Sequence, residues 1–444
     1  MSRPNILFLN CHDLGQHLGC YGVSTVQSPN LDALAAEGIR LRNSFCVAPQ
    51  CSPSRAAIFT GRYPHSNGVM GLSHGQFAWD LRPGERHLAQ YLSEAGYHTA
   101  LFGVQHERVR PEDTGYDVID QLRSGRNARN VMERTVAHLQ EIRDRRQPFY
   151  LQVGFFEPHR PFDHGGVEPD REKGVTVPPF VKDEASARED FAGYQGAIRE
   201  MDAAVGGILK ALDRFDLSDE TLVIFTTDHG MPFPLAKCSL YDPGLRTAFI
   251  ARWPQHGWTV GRVFDPMIPN IDYLPTLLEA LEIDVPARIQ GRSFLPLLEG
   301  RMYQRHRDIF AEMTYHDYYD PMRCIRTETH KLIAFFSNSK GYMNPCQAAR
   351  PLSAENDKWA RGWPNCRHET IELYDLTQED WEKTNLAPRE SAGVLKRGLM
   401  TRLYEWMART KDPLLDGVPV SPSHTRAIEA LKAAFERRPK SDKT

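Results

Sequence analysis

The sequence predicts an α/β fold: a mostly parallel sheet flanked by helices, followed by a smaller C-terminal α+β subdomain carrying an antiparallel sheet. Three observations lead there. Short continuous apolar runs, of which NILFLN at 5–10 is the first, alternate with helical stretches through the first 300 residues. That is the pattern of strands covered on both faces by helices. After Gly300 short strands lie close together in sequence, as in an antiparallel sheet, and two helices close the chain. A length of 444 residues suits a large α/β unit with an appendage, so the expected division is 1–300 and 301–444.

The run at 5–10 reads as a buried strand. Pro29 and Asn30 open a helix over 31–37, ended by Gly38. Pro53 occupies a favoured first-turn position, so a second helix is expected to begin there and continue over 54–60. Buried strands are expected at 99–102 and 149–155. Ile198, Met201, Val205, Ile208 and Leu212 recur at helical spacing and predict an amphipathic helix over 196–215. Strands at 221–226 and 247–251 and a helix at 271–281 follow. In the second part, strands are expected at 324–326, 332–336 and 371–376, with helices at 392–410 and 425–436. The terminal residues 440–444 are expected to fray.

Lys and Arg number 54 against 57 Asp and Glu, giving a formal net charge of -3. A basic nucleic-acid binder and an acidic disordered tail are therefore poor fits. No apolar run approaches the roughly 20 residues that span a bilayer, so no membrane partner is expected. The opening segment has only a four-residue apolar run at 6–9, too short for a secretory signal of about 7–15 apolar residues. The eight cysteines include no CxxC pair, and no Asn-x-Ser/Thr acceptor occurs. A cytoplasmic location is the expectation, or a periplasmic or secreted one if a leader has been removed.

In open parallel sheets, ligands bind beyond the carboxyl ends of the strands. His12-Asp13 and Asp228-His229 both fall at such ends, and two carboxylates with two imidazoles can converge on one cation. Taken alone, Asp13 and Asp228 serve equally well as turn caps. The string Cys51-Ser52-Pro53-Ser54-Arg55 places a cysteine at a helix N-terminus, where free N–H groups favour an anion, with Arg55 one turn on.

That string, followed by Thr60-Gly61-Arg62, resembles the signature of the sulfatase family in the alkaline-phosphatase superfamily. Pro4-Asn5-Ile6-Leu7, Pro29-Asn30-Leu31-Asp32, Thr226-Thr227-Asp228-His229-Gly230 and the stretch 237–246 match further family blocks in order, covering nearly the whole chain. Asn67-Gly68-Val69-Met70-Gly71-Leu72, Gly230-Met231-Pro232-Phe233-Pro234 and Tyr319-Asp320-Pro321-Met322-Arg323 are similar to its heparan N-sulfatase (sulfamidase) subgroup. The resemblance implies a sulfohydrolase that releases sulfate from a sulfated sugar of the N-sulfoglucosamine type. It implies conversion of Cys51 to Cα-formylglycine by a formylglycine-generating or anaerobic sulfatase-maturing enzyme. It further implies one divalent cation, calcium in the family, with Mg, Mn or Zn as alternatives. Asp13, Asp228, His229 and residue 51 would hold the cation, with His12 as a further candidate. Arg55 would orient the hydrated aldehyde. Lys237 and His159 would meet sulfate and the leaving group, with His159 as general acid. His106 would act as the base that restores the aldehyde. His74 and Arg323 are candidate substrate contacts, Arg323 toward a uronate or second sulfate.

Two departures stand out. His12 replaces the usual first metal-binding Asp, and Val104 the usual Lys before His106. Imidazole suits a softer ion than calcium. Gly71-Leu72-Ser73-His74-Gly75 fits G-x-S-x-G but lacks the strand and helix of a nucleophile elbow, so it reads as a loop. An O-sulfatase or arylsulfatase, a phosphonate or phosphate monoester hydrolase of the superfamily, and a non-catalytic glycan-binding relative remain the alternatives.

Overall fold

The computed structural model describes residues 3–121, 127–337, 369–378 and 381–436. Cys346, Cys366 and the expected fraying at 440–444 lie outside them. The main sheet has eight strands in the order β5-β4-β6-β1-β7-β8-β2-β9. These are β1 (Asn5–Cys11), β2 (Ile39–Leu41), β4 (His98–Gly103), β5 (Val118–Asp120), β6 (Phe149–Gly154), β7 (Thr221–Thr227), β8 (Phe249–Arg252) and β9 (Arg262–Phe264). Strands β5, β4, β6, β1 and β7 run parallel, whereas β8 is antiparallel to both its neighbours. A short parallel pair joins β3 (Ser44–Phe45) to β10 (Ile268–Pro269).

Alternation along β1 sends side chains to two apolar layers. Leu7, Leu9 and Cys11 enter a core with α3 (Ala128–Ile142), α4 (Ala185–Arg214) and α1 (Pro29–Glu37). Ile6 and Phe8 enter the opposite core with α5 (Tyr273–Ala280). Helix α2 (Cys51–Thr60) begins two residues before Pro53, because Ser54 N–H donates to the Gln50 carbonyl at 3.0 Å and closes the first turn there. Its C-terminal end is Gly61 at φ 64°, a conformation open to glycine without penalty. Helix α4 starts eleven residues ahead of the expected Gly196, since Ala187, Phe191 and Tyr194 continue its buried stripe. Its Asp202 carboxylate accepts from the N–H groups of Asn30 and Leu31, capping α1.

The second sheet is an antiparallel meander of β11 (Ile309–Tyr315), β12 (Tyr319–Arg326), β13 (His330–Phe335) and β14 (Ile371–Asp375). Strand β11 was not expected from the sequence, since its IFAEMTY pattern mixes buried Glu312 and Thr314 among apolar residues. Helix α6 (Gly393–Thr410) packs Leu399, Leu403 and Trp406 against Ile325, Leu332 and Leu373. The same core contains Ala57, on the back of α2. Helix α7 (Pro422–Glu436) lies beyond it. Among the described residues no helix is long and apolar enough to cross a membrane.

Candidate active site

Four adjacent parallel strands deliver side chains to one place from their carboxyl ends. His12 and Asp13 follow β1, His106 follows β4, His159 follows β6, and Asp228 and His229 follow β7. Helix α2 points its N-terminus at the same spot and contributes Cys51 and Arg55, both buried. Asp13 sits at φ 51°, a left-handed conformation that Asp tolerates better than most residues. Its N–H donates to Asp228 Oδ1 at 2.9 Å, and its carbonyl accepts from the Tyr194 hydroxyl at 2.8 Å. Gly230 has to be glycine, because a Cβ there would stand 1.9 Å from the Pro243 carbonyl oxygen.

The charges are tightly interlocked. Lys237 Nζ donates to both oxygens of Asp13, at 2.9 and 3.1 Å. Burial pushes the Asp13 carboxyl up, but Lys237, His159 and His229 outweigh it and hold its pKa at about 2. Arg55 donates from Nε to Asp228 Oδ2 at 3.2 Å and from Nη2 to the Cys11 carbonyl at 3.0 Å. Its Nη1 is buried with no hydrogen-bond partner among the described residues. His12 Nδ1 lies 3.0 Å from Asp228 Oδ2. His229 donates Nδ1–H to the Gly230 carbonyl at 2.9 Å, leaving Nε2 toward Cys51 Sγ at 3.5 Å and Asp13 Oδ1 at 3.3 Å.

Burial pushes the Cys51 thiol pKa well up, only partly offset by Lys237, so the unmodified side chain is a neutral thiol and a poor nucleophile. Three further imidazoles surround it. The ring of His106 is 5.0 Å from that of His12 and 4.8 Å from that of His74. His159 is 5.6 Å from His12, with Nε2 3.8 Å from Asp13 Oδ2. Burial, then Lys237, lowers the His159 pKa to about 3, and burial alone is the largest cause of the fall at His106. His159 donates Nδ1–H to the Arg160 carbonyl, so its Nε2 faces the site as a lone pair. Ligand atoms of His12, Asp13, Cys51 and Asp228 all lie within 4.8 Å of one another. A buried set of two carboxylates and two imidazoles with an unpartnered ring nitrogen fits a divalent cation.

Of the substrate contacts expected from the sequence, His74 is exposed at the rim against His106, on the loop that carries the G-x-S-x-G match. Ser73 donates from Oγ to the His106 carbonyl at 2.6 Å, which is a structural bond of that loop. Arg323 is a correction. It is 0% exposed, with Nε and Nη2 on the Asp412 carboxylate and Nη1 donating to the Met313 and Met322 carbonyls. Its position on a central strand turns the side chain inward, where it ties together Asp412 and two backbone carbonyls instead of facing solvent. It also fills the buried cluster of His65, Glu312 and Asp412 with positive charge, lying 3.3 Å from Glu312 Oε2.

The model of the sulfatase family matches residues 4–283. The chain belongs to the sulfatase family. A second family, the C-terminal domain of N-sulphoglucosamine sulphohydrolase, matches residues 230–344 of this sulfatase. Human N-sulphoglucosamine sulphohydrolase is 31% identical, covering 94% of this chain and 93% of its own. An ulvan-active sulfatase of Formosa agariphila is 28% identical, covering 94% and 83%. The solved structure of BT4656 in complex with its substrate D-glucosamine-2-N, 6-O-disulfate superposes with a TM-score of 0.72 at 21% identity, covering 92% of this chain and 98% of that one. A phosphonate monoester hydrolase from Silicibacter pomeroyi reaches 0.69 at 18% identity, covering 92% and 96%, so the fold alone is common to both activities. This sulfatase is accordingly a hydrolase of sulfate esters or sulfamates.

Three further side chains, Tyr194, Glu107 and Asp317, adjoin the site without a motif to mark them. Tyr194 fixes the Asp13 carbonyl from the middle of α4. Glu107 is fully buried, and its charge is felt by Arg55. Asp317 pairs with His316 and lies in the field of Lys237 and His74. Glu107 adjoins His106 and Asp317 lies between β11 and β12, two residues before the Tyr319–Arg323 string, so proximity in sequence was the available signal. Tyr194 had none, since a buried helical tyrosine reads as core.

Proposed function

We propose that this sulfatase releases inorganic sulfate from a sulfated saccharide, with the S–N bond of an N-sulfoglucosamine unit as its target. The supporting observation is the likeness to human N-sulphoglucosamine sulphohydrolase, which runs over nearly the full length of both chains and includes the C-terminal family match. The D-glucosamine-2-N, 6-O-disulfate bound by BT4656 belongs to the same chemical class, though at an identity that speaks for fold alone.

Formylglycine made from Cys51 supplies, once hydrated, a hydroxyl that attacks sulfur. Asp13, Asp228, His229 and residue 51, with His12, would hold a divalent cation, which would supply Lewis acidity there. The chain's own groups do the rest. Arg55 orients Asp228 through Nε and keeps a buried Nη1 without a hydrogen-bond partner among the described residues. Lys237 moves from balancing Asp13 to sharing its charge with the sulfuryl oxygens. His159 faces the site unprotonated, and an anionic sulfuryl group next to it favours the imidazolium. Substrate thus creates the general acid that protonates the departing nitrogen. His106, neutral and half-buried, is placed to accept a proton when the aldehyde is restored.

The deciding experiment compares sulfate release from N-sulfoglucosamine, from 6-O-sulfated N-acetylglucosamine and from an aryl sulfate, with hydrolysis of an aryl phosphonate alongside. The expected order has the sulfamate first by at least about tenfold in kcat/KM. A preference for either O-sulfate would move the assignment to an O-sulfatase, and a preference for the phosphonate would remove the sulfate reading.

A further inference from the structure

Of the residues that would hold the cation, His12 and His229 offer imidazole nitrogen, beside residue 51 and the carboxylates of Asp13 and Asp228. His12 Nδ1 stands 3.0 Å from Asp228 Oδ2, its Nε2 has no hydrogen-bond partner among the described residues, and the side chain is fully buried. His229 has committed its Nδ1–H to the Gly230 carbonyl, so the Nε2 lone pair faces Asp13 Oδ1 at 3.3 Å and Asp228 Oδ1 at 3.7 Å. Lone pairs and carboxylate oxygens that converge in this way repel one another unless a cation lies among them.

The chemistry of the donors discriminates between cations. Calcium takes about 6–8 oxygen ligands. Here the carboxylates at hand are Asp13 and Asp228, and Lys237 already bonds both oxygens of Asp13. Imidazole nitrogen instead suits ions of the manganese-to-zinc series, whose affinity for nitrogen donors exceeds that of calcium.

We propose that the cation of this centre is a first-row transition ion, selected over calcium by His12 and His229. The assignment rests on the proposed function only in taking this cluster as a cation site, and its readout is independent of turnover. The full-length protein is produced with Cys51 converted, checked by mass, and its metal content is determined by elemental analysis. The stripped protein is then titrated separately with Co(II), followed by its visible d–d bands, and with calcium, followed by calorimetry. About one transition ion per chain is expected as purified, with Co(II) bound at least about 100-fold more tightly than calcium. His12→Ala and His229→Ala should each weaken Co(II) tenfold or more while changing calcium affinity less than threefold. The more conservative pair His12→Asp with His229→Asn, its fold checked by circular dichroism, should narrow or reverse the preference. One calcium per chain with no preference for Co(II) overturns the proposal, as does Co(II) binding confined to protein with an unconverted Cys51 thiol. A bound transition ion in a protein that turns over no sulfated substrate leaves this assignment standing and removes the functional one.

Discussion

At the scale of single residues, the site depends on keeping reactive groups dry and in one protonation state. Cys51 shows it most simply: a buried, protonated thiol cannot do what a hydrated aldehyde can. Cys51→Ser should lose sulfate release by at least about 1000-fold. In the wild-type protein, peptide mass spectrometry should find residue 51 about 18 Da lighter than cysteine. Turnover by Cys51→Ser at the wild-type rate would remove formylglycine from the account. Two histidines away from the site carry a pH signature. Burial lowers His17 and His87 to about 3, against an ordinary 6.5, and His87 also accepts the Ala89 N–H as a helix cap. Folding favours their neutral forms, so their stability contribution is complete above pH 6.5 and is lost as pH falls from there toward 3. At pH 5 each should cost about 2 kcal/mol. Thermal melts between pH 7 and 5 should show the decline, and His87→Asn, which keeps a capping oxygen, should make it shallower by about 2 kcal/mol, the His87 share. Cys51 and Arg55 were legible in the sequence because their spacing is fixed by one helical turn. The inward placement of Arg323 was not, because the strand face it takes depends on β11 and α6.

At the scale of elements, α2 is the piece on which site and scaffold meet. Its front presents Cys51 and Arg55, while Ala57 on its back shares a core with β12, β13, β14 and α6. Arg323 fastens this arrangement by tying β12 to Asp412 just beyond α6. Arg323→Met should therefore destabilise the protein by about 3–5 kcal/mol, leaving Asp412 and Glu312 as uncompensated buried charges. Activity per folded molecule should change little. A large rise in KM with unchanged stability in denaturant titrations would return Arg323 to the substrate pocket. The early start of α4 follows the same logic. Its first turns pack Phe191 and Tyr194 against Phe233 of the loop after β7, so tertiary contacts extend a helix whose periodic stripe was plain only from Gly196.

At the scale of the whole molecule, the sheet brings residues 12, 51, 106, 159, 228 and 237 within reach of one another across more than two hundred positions of chain. A cation binding there engages native structure alone, because the unfolded chain has no such cluster. It should stabilise the protein by about 2.7 kcal/mol at a hundredfold excess over its dissociation constant. Chelation should lower the melting temperature by a few degrees and added metal should restore it, measured by calorimetry; no change would mean that the cluster binds no ion in solution. The sequence by itself determined the sheet class, a helix at Pro53 with Cys51 at its N-terminus, the acidic pairs at two strand ends and the family, since each is written in local spacing or in short strings. Only the tertiary structure decided that β8 runs antiparallel, that Arg323 points inward, and that His12 and His229 turn ring nitrogens toward two carboxylates. Those outcomes depend on which strands become neighbours and which face each side chain takes, and such contacts between distant segments leave no local pattern in the chain.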